Sequence, residues 1–341
     1  MKLYSNEIVF RGHPDKVCDQ ISGALLDAYL KGDKNTRAGI EVVGGKGKIF
    51  ITGEVTSKAK VDVEVVTRRV LKNCGYEKAV EEYGIINNLG VQSGDIAIGV
   101  DTGGAGDNGM MFGYACADTK EMLPTAMVIL QKFAQEYDKL RLKDKRLKSD
   151  GKAQITGEYD KDFNLKRIMT FTICYQNTEK ERAVTDELLK SMATKIAGKY
   201  NIKIENFLIN PTGRFEIGDF ESDAGLTGRK IVVDAYQSFA NVGGGCMNGK
   251  DPSKVDISGA HKARELAKEI LKKHKLRWCE VQLSYAIGQA RPLAIYIDSS
   301  AGNIEPTEQM YTACEPRNII RDLKLGNICY EDLAKFGHFS S

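Results

Sequence analysis

The sequence predicts an α+β fold built from antiparallel or mixed sheets with helices packed against them. Three observations support this prediction. The chain has 341 residues, which suits two or three domains rather than one. Helical apolar periodicity recurs along the chain. Alternating apolar segments also recur as three pairs joined by short turns, at 38–43 with 49–55, 153–159 with 168–175, and 280–287 with 293–297. Turn-linked pairs favour α+β domains over a doubly wound parallel sheet.

Composition excludes several classes of protein. No apolar run approaches the roughly 18 residues of a spanning helix, and the N-terminus lacks the apolar core of a signal peptide, so we expect a cytoplasmic protein without a membrane partner. Eight scattered cysteines form no CxxC pair, which favours free thiols. A net charge of +3 does not indicate a nucleic-acid partner, and the basic run 139–148 is read as the solvated end of a helix.

The first element that carries candidate functional residues is a predicted helix. It begins at Pro14, has apolar residues at helical spacing, and ends at Gly32. His13, Asp15 and Lys16 crowd its N-terminal end, where free N–H groups and the helix dipole favour a phosphate or its metal. The alternative is that Asp15 only stabilises the start of the helix.

The segments 38–43 and 49–55 form a predicted hairpin that carries Glu41 and Glu54 near its middle. A single acid on such a strand usually faces solvent. A helix over 61–74 follows, and then a looser stretch that leads to Gln92.

A glycine-rich segment over 96–109 matches GxGxxG from Gly104 to Gly109. The residues after it open no clear helix, and no acid follows at the expected distance, so a dinucleotide site is not favoured. A mobile gate over a ligand is the preferred interpretation, with a purely structural loop as the alternative.

The middle of the chain contains a predicted helix over 122–140 and a hairpin with its turn at 160–162, followed by a charged helix over 179–200. Asp150 and Lys152 lie just ahead of that hairpin.

The segment 213–256 is the strongest candidate for binding a polyphosphate. Arg229 and Lys230 precede 231–233, which we predict to be an apolar strand, and the glycine-rich loop 243–250 follows. Gly244 to Lys250 spells GxxxxGK, but residue 251 is an Asp where a P-loop needs Ser or Thr. Four cations, counting Lys254, and a metal-binding carboxylate at Asp256 suit a polyphosphate with its metal. The alternative is a solvated basic surface with a mobile loop.

At this point five segments resemble the methionine adenosyltransferase family, also called S-adenosylmethionine synthetase. They are 12–16, 104–114, 210–215, 223–234 and 249–256, and they span most of the chain in the family's order. The resemblance implies three similar α+β domains in a pseudo-three-fold arrangement. We place them at 1–95, 104–218 and 219–341, with 96–103 as a gate loop and the domains interleaved in space.

The resemblance also implies the activity: methionine sulfur attacks C5′ of ATP in line and displaces triphosphate, which is then hydrolysed to phosphate and diphosphate. It implies two Mg²⁺ per site, K⁺, and a homodimer whose active sites lie between subunits. Pairing of dimers into tetramers is left open.

Site residues carried over from the family fall into four groups. The catalytic group is His13, Lys152, Arg229, Lys250 and Lys254. The ATP-binding group is His13, Lys16, Asp150, Lys152, Arg214, Phe215, Asp223, Arg229, Lys230, Cys246 and Lys250. The methionine-binding group is Glu54, Gln92, Asp107, Asp223 and Lys254. The metal ligands are Asp15 and Asp256 for Mg²⁺ and Glu41 for K⁺.

The chain departs from the family pattern at Asn108, Asp219-Phe220, Gln237-Ser238, Val242, Cys246 and Ile257, and its loop near 101–104 is shorter. None of these changes removes a charged group assigned to a substrate or metal. Two other functions stay open on the sequence: another ATP-dependent phosphotransferase, and a non-catalytic regulatory homologue.

Overall fold

A computed structural model describes residues 1–91, 103–177 and 182–339. The predicted gate at 96–103 and Gln92 fall mostly or wholly outside these ranges. Among the described residues, no helix is both long and apolar enough to cross a membrane.

Strands and helices are interspersed along the described part of the chain. The strands are β1 (Lys2–Val9), β2 (Arg37–Gly45), β3 (Lys48–Thr56), β4 (Gly84–Gly90), β5 (Gly109–Cys116), β6 (Leu147–Tyr159), β7 (Leu165–Asn177), β8 (Phe207–Ile209), β9 (Gly225–Leu226), β10 (Trp278–Tyr285) and β11 (Ala294–Ser299). The helices are α1 (Pro14–Gly32), α2 (Val63–Cys74), α3 (Glu77–Glu82), α4 (Thr125–Arg141), α5 (Arg182–Gly198), α6 (Asp219–Ser222), α7 (Ile231–Asp234), α8 (Val255–His274), α9 (Glu308–Ala313), α10 (Pro316–Asp322) and α11 (Tyr330–Phe336).

The strands form three sheets, with strand orders β4-β3-β2-β9, β1-β6-β7-β8 and β11-β10-β5. The β3–β4 and β7–β8 pairs are parallel, and the other strand pairs are antiparallel. Each sheet has its own buried core, to which α1 and α2, α4 and α5, and α8 respectively contribute. The predicted α+β fold class is therefore confirmed.

Each sheet combines strands from distant parts of the chain. β1 pairs with β6, β5 pairs with β10, and the short β9 pairs with the end of β2. Residues near the start of the chain are thus held beside residues about two hundred positions later, which is the arrangement that builds the candidate site.

Most predicted elements are confirmed, including α1 from Pro14 to Gly32 and the three hairpins. The prediction of a strand at 231–233 is wrong, because these residues form the short helix α7. Asp234 N–H donates to Lys230 O and Ala235 N–H to Ile231 O, which closes helical turns. The stretch before Gln92 is also more ordered than expected, since it contains α3 and β4.

Candidate active site

The first group of site residues surrounds the N-terminal end of α1, and we call it the phosphate cluster: His13, Asp15, Lys152, Asp223, Arg229 and Lys230. Asp15 is fully buried at its centre. Its Oδ1 lies 2.7 Å from Nε of Arg229, and its Oδ2 lies 2.5 Å from Nζ of Lys230. The side chain of His13 caps the helix by accepting a hydrogen bond from the Asp15 N–H at 3.2 Å.

The close approach of β9 to α1 brings the two cations to Asp15. A Cβ on Gly225 would overlap the backbone carbonyl of Pro14, so only glycine lets this strand pass so near the helix. The next residue, Leu226, donates its N–H to Oδ1 of Asp15 at 3.0 Å. Arg229 and Lys230 follow Leu226 after three and four residues.

Electrostatics in the cluster favour a charged Asp15 and a neutral His13. Burial alone would raise the pKa of Asp15, but the hydrogen bonds from Lys230 and the Leu226 N–H outweigh it and lower that pKa. Burial and the nearby charge of Lys230 lower the pKa of His13 to about 4, and Lys152 acts in the same direction. His13 is therefore a neutral hydrogen-bonding group near pH 7 in the free protein.

The second group lines a cavity of ≈ 400 Å³, which we call the acid cavity. The β2–β3 hairpin supplies Glu41 and Glu54, and the glycine-rich segment before β5 supplies Asp107. Lys250 and Lys254 also line it. A cavity lined by both carboxylates and two ammonium groups suits a zwitterionic ligand with phosphate nearby.

The loop over 243–250, which we call the phosphate loop, is fastened to β2. Gly249 O accepts from the Ile40 N–H at 2.8 Å, and Oδ2 of Asp251 accepts from the Ala38 N–H at 2.8 Å. Gly249 has φ of +71°, and a Cβ there would overlap the carbonyl of Ile40. Asp251, the residue that rules out a P-loop, is thus the anchor that holds this loop to the hairpin.

Lys250 pairs with the carboxylate of Asp256 at the start of α8. Burial opposes the charged ammonium, but the Asp256 carboxylate outweighs it and raises the pKa of Lys250. Nζ of Lys254 lies 3.3 Å from Oδ2 of Asp251. Cys246 also lines the acid cavity.

The two groups of residues open onto different cavities. Arg229 and Lys230 line one of ≈ 500 Å³, together with Glu7 and Gln154 on the neighbouring sheet. Within the described ranges, no residue lines both this cavity and the acid cavity. A single chain thus presents the two groups at separate cavities.

Some predicted ATP contacts line neither of these two cavities. Lys16 is fully buried, and its ammonium pairs with Asp19 at 3.0 Å and with Asp234, so its placement does not support a direct contact with ATP. Asp150 is buried, and burial raises its pKa to about 6. Arg214 is exposed and pairs with Glu216 at 3.0 Å, and Phe215 is partly buried beside it.

Sequence reasoning missed three residues that support the site from behind: Asp234, Asn248 and Asp251. Asp234 accepts from both Lys16 and Asn248, and it is 1% exposed. The only signal in the sequence was the charge of Asp234 and Asp251. Their burial could not be predicted, because burial cannot be inferred from a single position of the sequence.

Comparison with known proteins accounts for nearly the whole chain. Residues 1–94, 102–215 and 217–341 match the models of the N-terminal, central and C-terminal domains of S-adenosylmethionine synthetase. The chain is 39% identical to the S-adenosylmethionine synthase of Nocardioides sp., covering 99% of this chain and 93% of that protein. It is 38% identical to S-adenosylmethionine synthase 1 of Frankia casuarinae, over 99% and 93% of the two chains. With the S-adenosylmethionine synthase of Prochlorococcus marinus the identity is 38%, over 99% and 92%. The chain therefore belongs to the S-adenosylmethionine synthetase family.

Proposed function

We propose that this protein is a methionine adenosyltransferase, which converts ATP, L-methionine and water to S-adenosylmethionine, phosphate and diphosphate. The observation that carries the proposal is the presence of two cations around the buried Asp15 at a helix N-terminus, together with a cavity lined by carboxylates, in a chain related over almost its full length to S-adenosylmethionine synthases. The first feature suits a leaving triphosphate, and the second suits the ammonium group of methionine.

The reaction requires no general base, because the sulfur of methionine already carries a free lone pair. The barrier lies in aligning sulfur with C5′ of ATP and in the charge that gathers on the departing triphosphate. Arg229, Lys230 and Lys250 supply cations for that charge, and neutral His13 supplies a hydrogen bond. Glu54 and Asp107 hold the methionine ammonium and favour the positive sulfur that develops.

Asp15 and Asp256 have the hard oxygen donors that Mg²⁺ prefers, and both lie beside the proposed phosphate-binding cations. In the free chain these carboxylates are neutralised by Lys230 and Lys250. We propose that the lysines turn to the triphosphate when the two metal ions bind, so that charge stays balanced in both states. Bound Mg²⁺ would neutralise charge on the leaving group. Glu41 is the proposed ligand of K⁺.

We further propose that the protein is a cytoplasmic homodimer in which the phosphate cluster of one subunit meets the acid cavity of the other. An apolar row crosses the outer face of one sheet, with Val43 opposite Phe50 and Leu226, and Phe50 opposite Ile86. These four side chains are 37–41% exposed. A continuous apolar row on a sheet face suits burial against a second copy.

The activity is tested by incubating the protein with ATP, Mg²⁺, K⁺ and methionine and identifying the products by mass. S-adenosylmethionine with phosphate and diphosphate supports the proposal. ADP would indicate a phosphotransferase and no turnover a regulatory homologue, neither of which the relatives favour.

The shared site is tested by coexpressing Asp15→Asn chains with Asp256→Asn chains, each inactive alone. If every site takes Asp15 from one subunit and Asp256 from the other, half of the sites in a mixed dimer are intact, and random pairing restores about a quarter of wild-type activity. Coexpressed chains that remain as inactive as either variant alone would place both carboxylates in one subunit's site.

A further inference from the structure

We infer that His338 is a positioning residue. Through its hydrogen bond to Asn248 it fixes the position of the phosphate loop relative to the segment that carries Arg229. The inference rests on the proposed function for its catalytic consequence, but its structural content is independent of it. His338 lies near the end of the described chain, just after α11, and is 5% exposed.

A continuous set of buried side-chain hydrogen bonds starts at this histidine. Nε2 of His338 lies 2.9 Å from Oδ1 of Asn248, and Nδ2 of Asn248 donates to Oδ2 of Asp234 at 2.8 Å. Because the amide uses its NH₂ for the carboxylate, its oxygen must accept, and His338 must carry its proton on Nε2. Nδ1 of His338 is then left to accept from Nε2 of His261 at 3.4 Å.

The same network continues to the phosphate cluster. Oδ1 of Asp234 accepts from the ammonium of Lys16, which also donates to Asp19 at 3.0 Å. The other oxygen of Asp19 accepts from the Gly228 N–H at 2.8 Å, directly before Arg229. The loop that carries Lys250 is thus connected to the segment that carries Arg229 by a series of buried side chains: His338, Asn248, Asp234, Lys16 and Asp19.

The phosphate loop needs an outside support of this kind. Four of its eight residues are glycine, so its backbone has unusual freedom before substrate binds. Asn248 is its polar anchor: it is 4% exposed, its side-chain oxygen and nitrogen are both used, and its N–H donates to Sγ of Cys246 at 3.2 Å. Loss of the His338 bond would leave Oδ1 of Asn248 buried without its donor, which favours a shift of the loop.

The C-terminal segment is itself fixed to the same place. The N–H of His338 donates to the carbonyl of Asp234 at 2.9 Å, and the ring of Phe339 stacks on Tyr236 with centroids 5.0 Å apart. The backbone and Phe339 therefore hold this segment in place independently of the imidazole. Replacing the His338 side chain alone removes its hydrogen bond to Asn248 without releasing the segment. This separates positioning from gross structure.

The test compares His338→Leu, which cannot donate, with His338→Gln, whose Nε2 can occupy about the place of the imidazole Nε2. His274→Leu is the matched control, because His274 is exposed at the end of α8. We expect His338→Leu to speed amide exchange over 243–250 by about tenfold and to lower kcat by about tenfold, in the range found for removal of an outer-shell partner. The KM for methionine stays within about threefold, and His338→Gln recovers most of both losses.

Equal behaviour of the Leu and Gln variants, or unchanged exchange over 243–250 in the Leu variant, would overturn the inference. If His338→Leu does not fold, Asn248→Ala removes the acceptor instead and must raise amide exchange over 243–250; unchanged exchange in that variant would overturn the inference. Exchange is measured without substrates, so a wild-type protein that makes no S-adenosylmethionine would refute the proposed function and still leave this inference decided by exchange.

Discussion

Two adjacent glycines of the phosphate loop offer a sharp test of how Asp256 is placed. A Cβ added to Gly245 would overlap Oδ1 and Cγ of Asp256 and lie 3.0 Å from Oδ2, whereas a Cβ on Gly244 would meet no atom within 4 Å. Neither glycine has a φ in the left-handed region. Gly245→Ala and Gly244→Ala therefore differ in one respect, which is contact with the proposed metal ligand.

The magnitude follows from the displacement that the methyl group forces. The Asp256 side chain is short and its carboxylate pairs with Lys250, so relieving the overlap with the added methyl group moves the carboxylate by about 1 Å or more. A misplacement of that size can lower the rate by about a hundredfold. This corresponds to about 2.7 kcal/mol of transition-state free energy. Gly244→Ala lacks the overlap, and we expect its turnover to stay within about threefold of wild type because surface changes without a contact are nearly neutral.

The assay is the initial rate of S-adenosylmethionine formation over a Mg²⁺ titration, with the melting temperature measured alongside. We expect Gly245→Ala to require more Mg²⁺ and to remain slow at saturation, at a melting temperature close to that of Gly244→Ala. Equal rates for the two variants at saturating Mg²⁺ would refute the argument that Asp256 must stay where the structure places it.

Four further predictions follow from the site. Asp15→Asn and Asp256→Asn should each lower turnover by about a hundredfold or more, since each removes a carboxylate that we propose as a ligand of Mg²⁺; near-normal rates at saturating Mg²⁺ would remove them from the proposed metal site. Glu41→Gln should abolish activation by K⁺ in a rate titration, and a wild-type response in the variant would show that K⁺ binds elsewhere. Burial lowers the pKa of His261 from 6.5 to about 4, so the unfolded chain takes up a proton below pH 6.5 that the folded chain refuses. That stabilising contribution is complete above pH 6.5 and is lost toward pH 4, so the melting temperature of wild type should fall relative to that of His261→Gln across this window; parallel melting curves would contradict the shift. If 96–103 form the shortened gate that the family resemblance implies, ethionine should be used within roughly tenfold of methionine in kcat/KM, because such a gate discriminates weakly against one added methylene; discrimination well above a hundredfold in a competition read by product mass would contradict that expectation.

Local chemistry made much of the fold predictable. Proline at the first helical position and glycine at the end delimit α1, and the turn at 44–47 identifies the β2–β3 hairpin, because these signals act within a few residues. The short helix α7 was predicted as a strand because its three β-branched residues favour one, but its backbone closes helical turns through the N–H groups of Asp234 and Ala235, which donate to Lys230 and Ile231.

Residue type and order, together with the family's motifs, predicted the cations and carboxylates of the candidate site before their positions were known. Arg229, Lys230 and Lys250 stand out because charged residues beside flexible glycines suit a phosphate whatever the fold. Asp15 stands out because a helix N-terminus favours the same ligand. What this information leaves open is which of these groups face each other.

Tertiary structure decided that question. It buries Asp15 between two cations more than two hundred residues away, turns Lys16 from the cleft into an ion pair with Asp234, and makes Asp251 the anchor of the phosphate loop. The physical reason is that a side chain's partner depends on which face its element buries and on which strand lies alongside. Those are properties of long-range packing, whereas the sequence by itself specified the helix boundaries, the hairpins and the chemical groups available to pair.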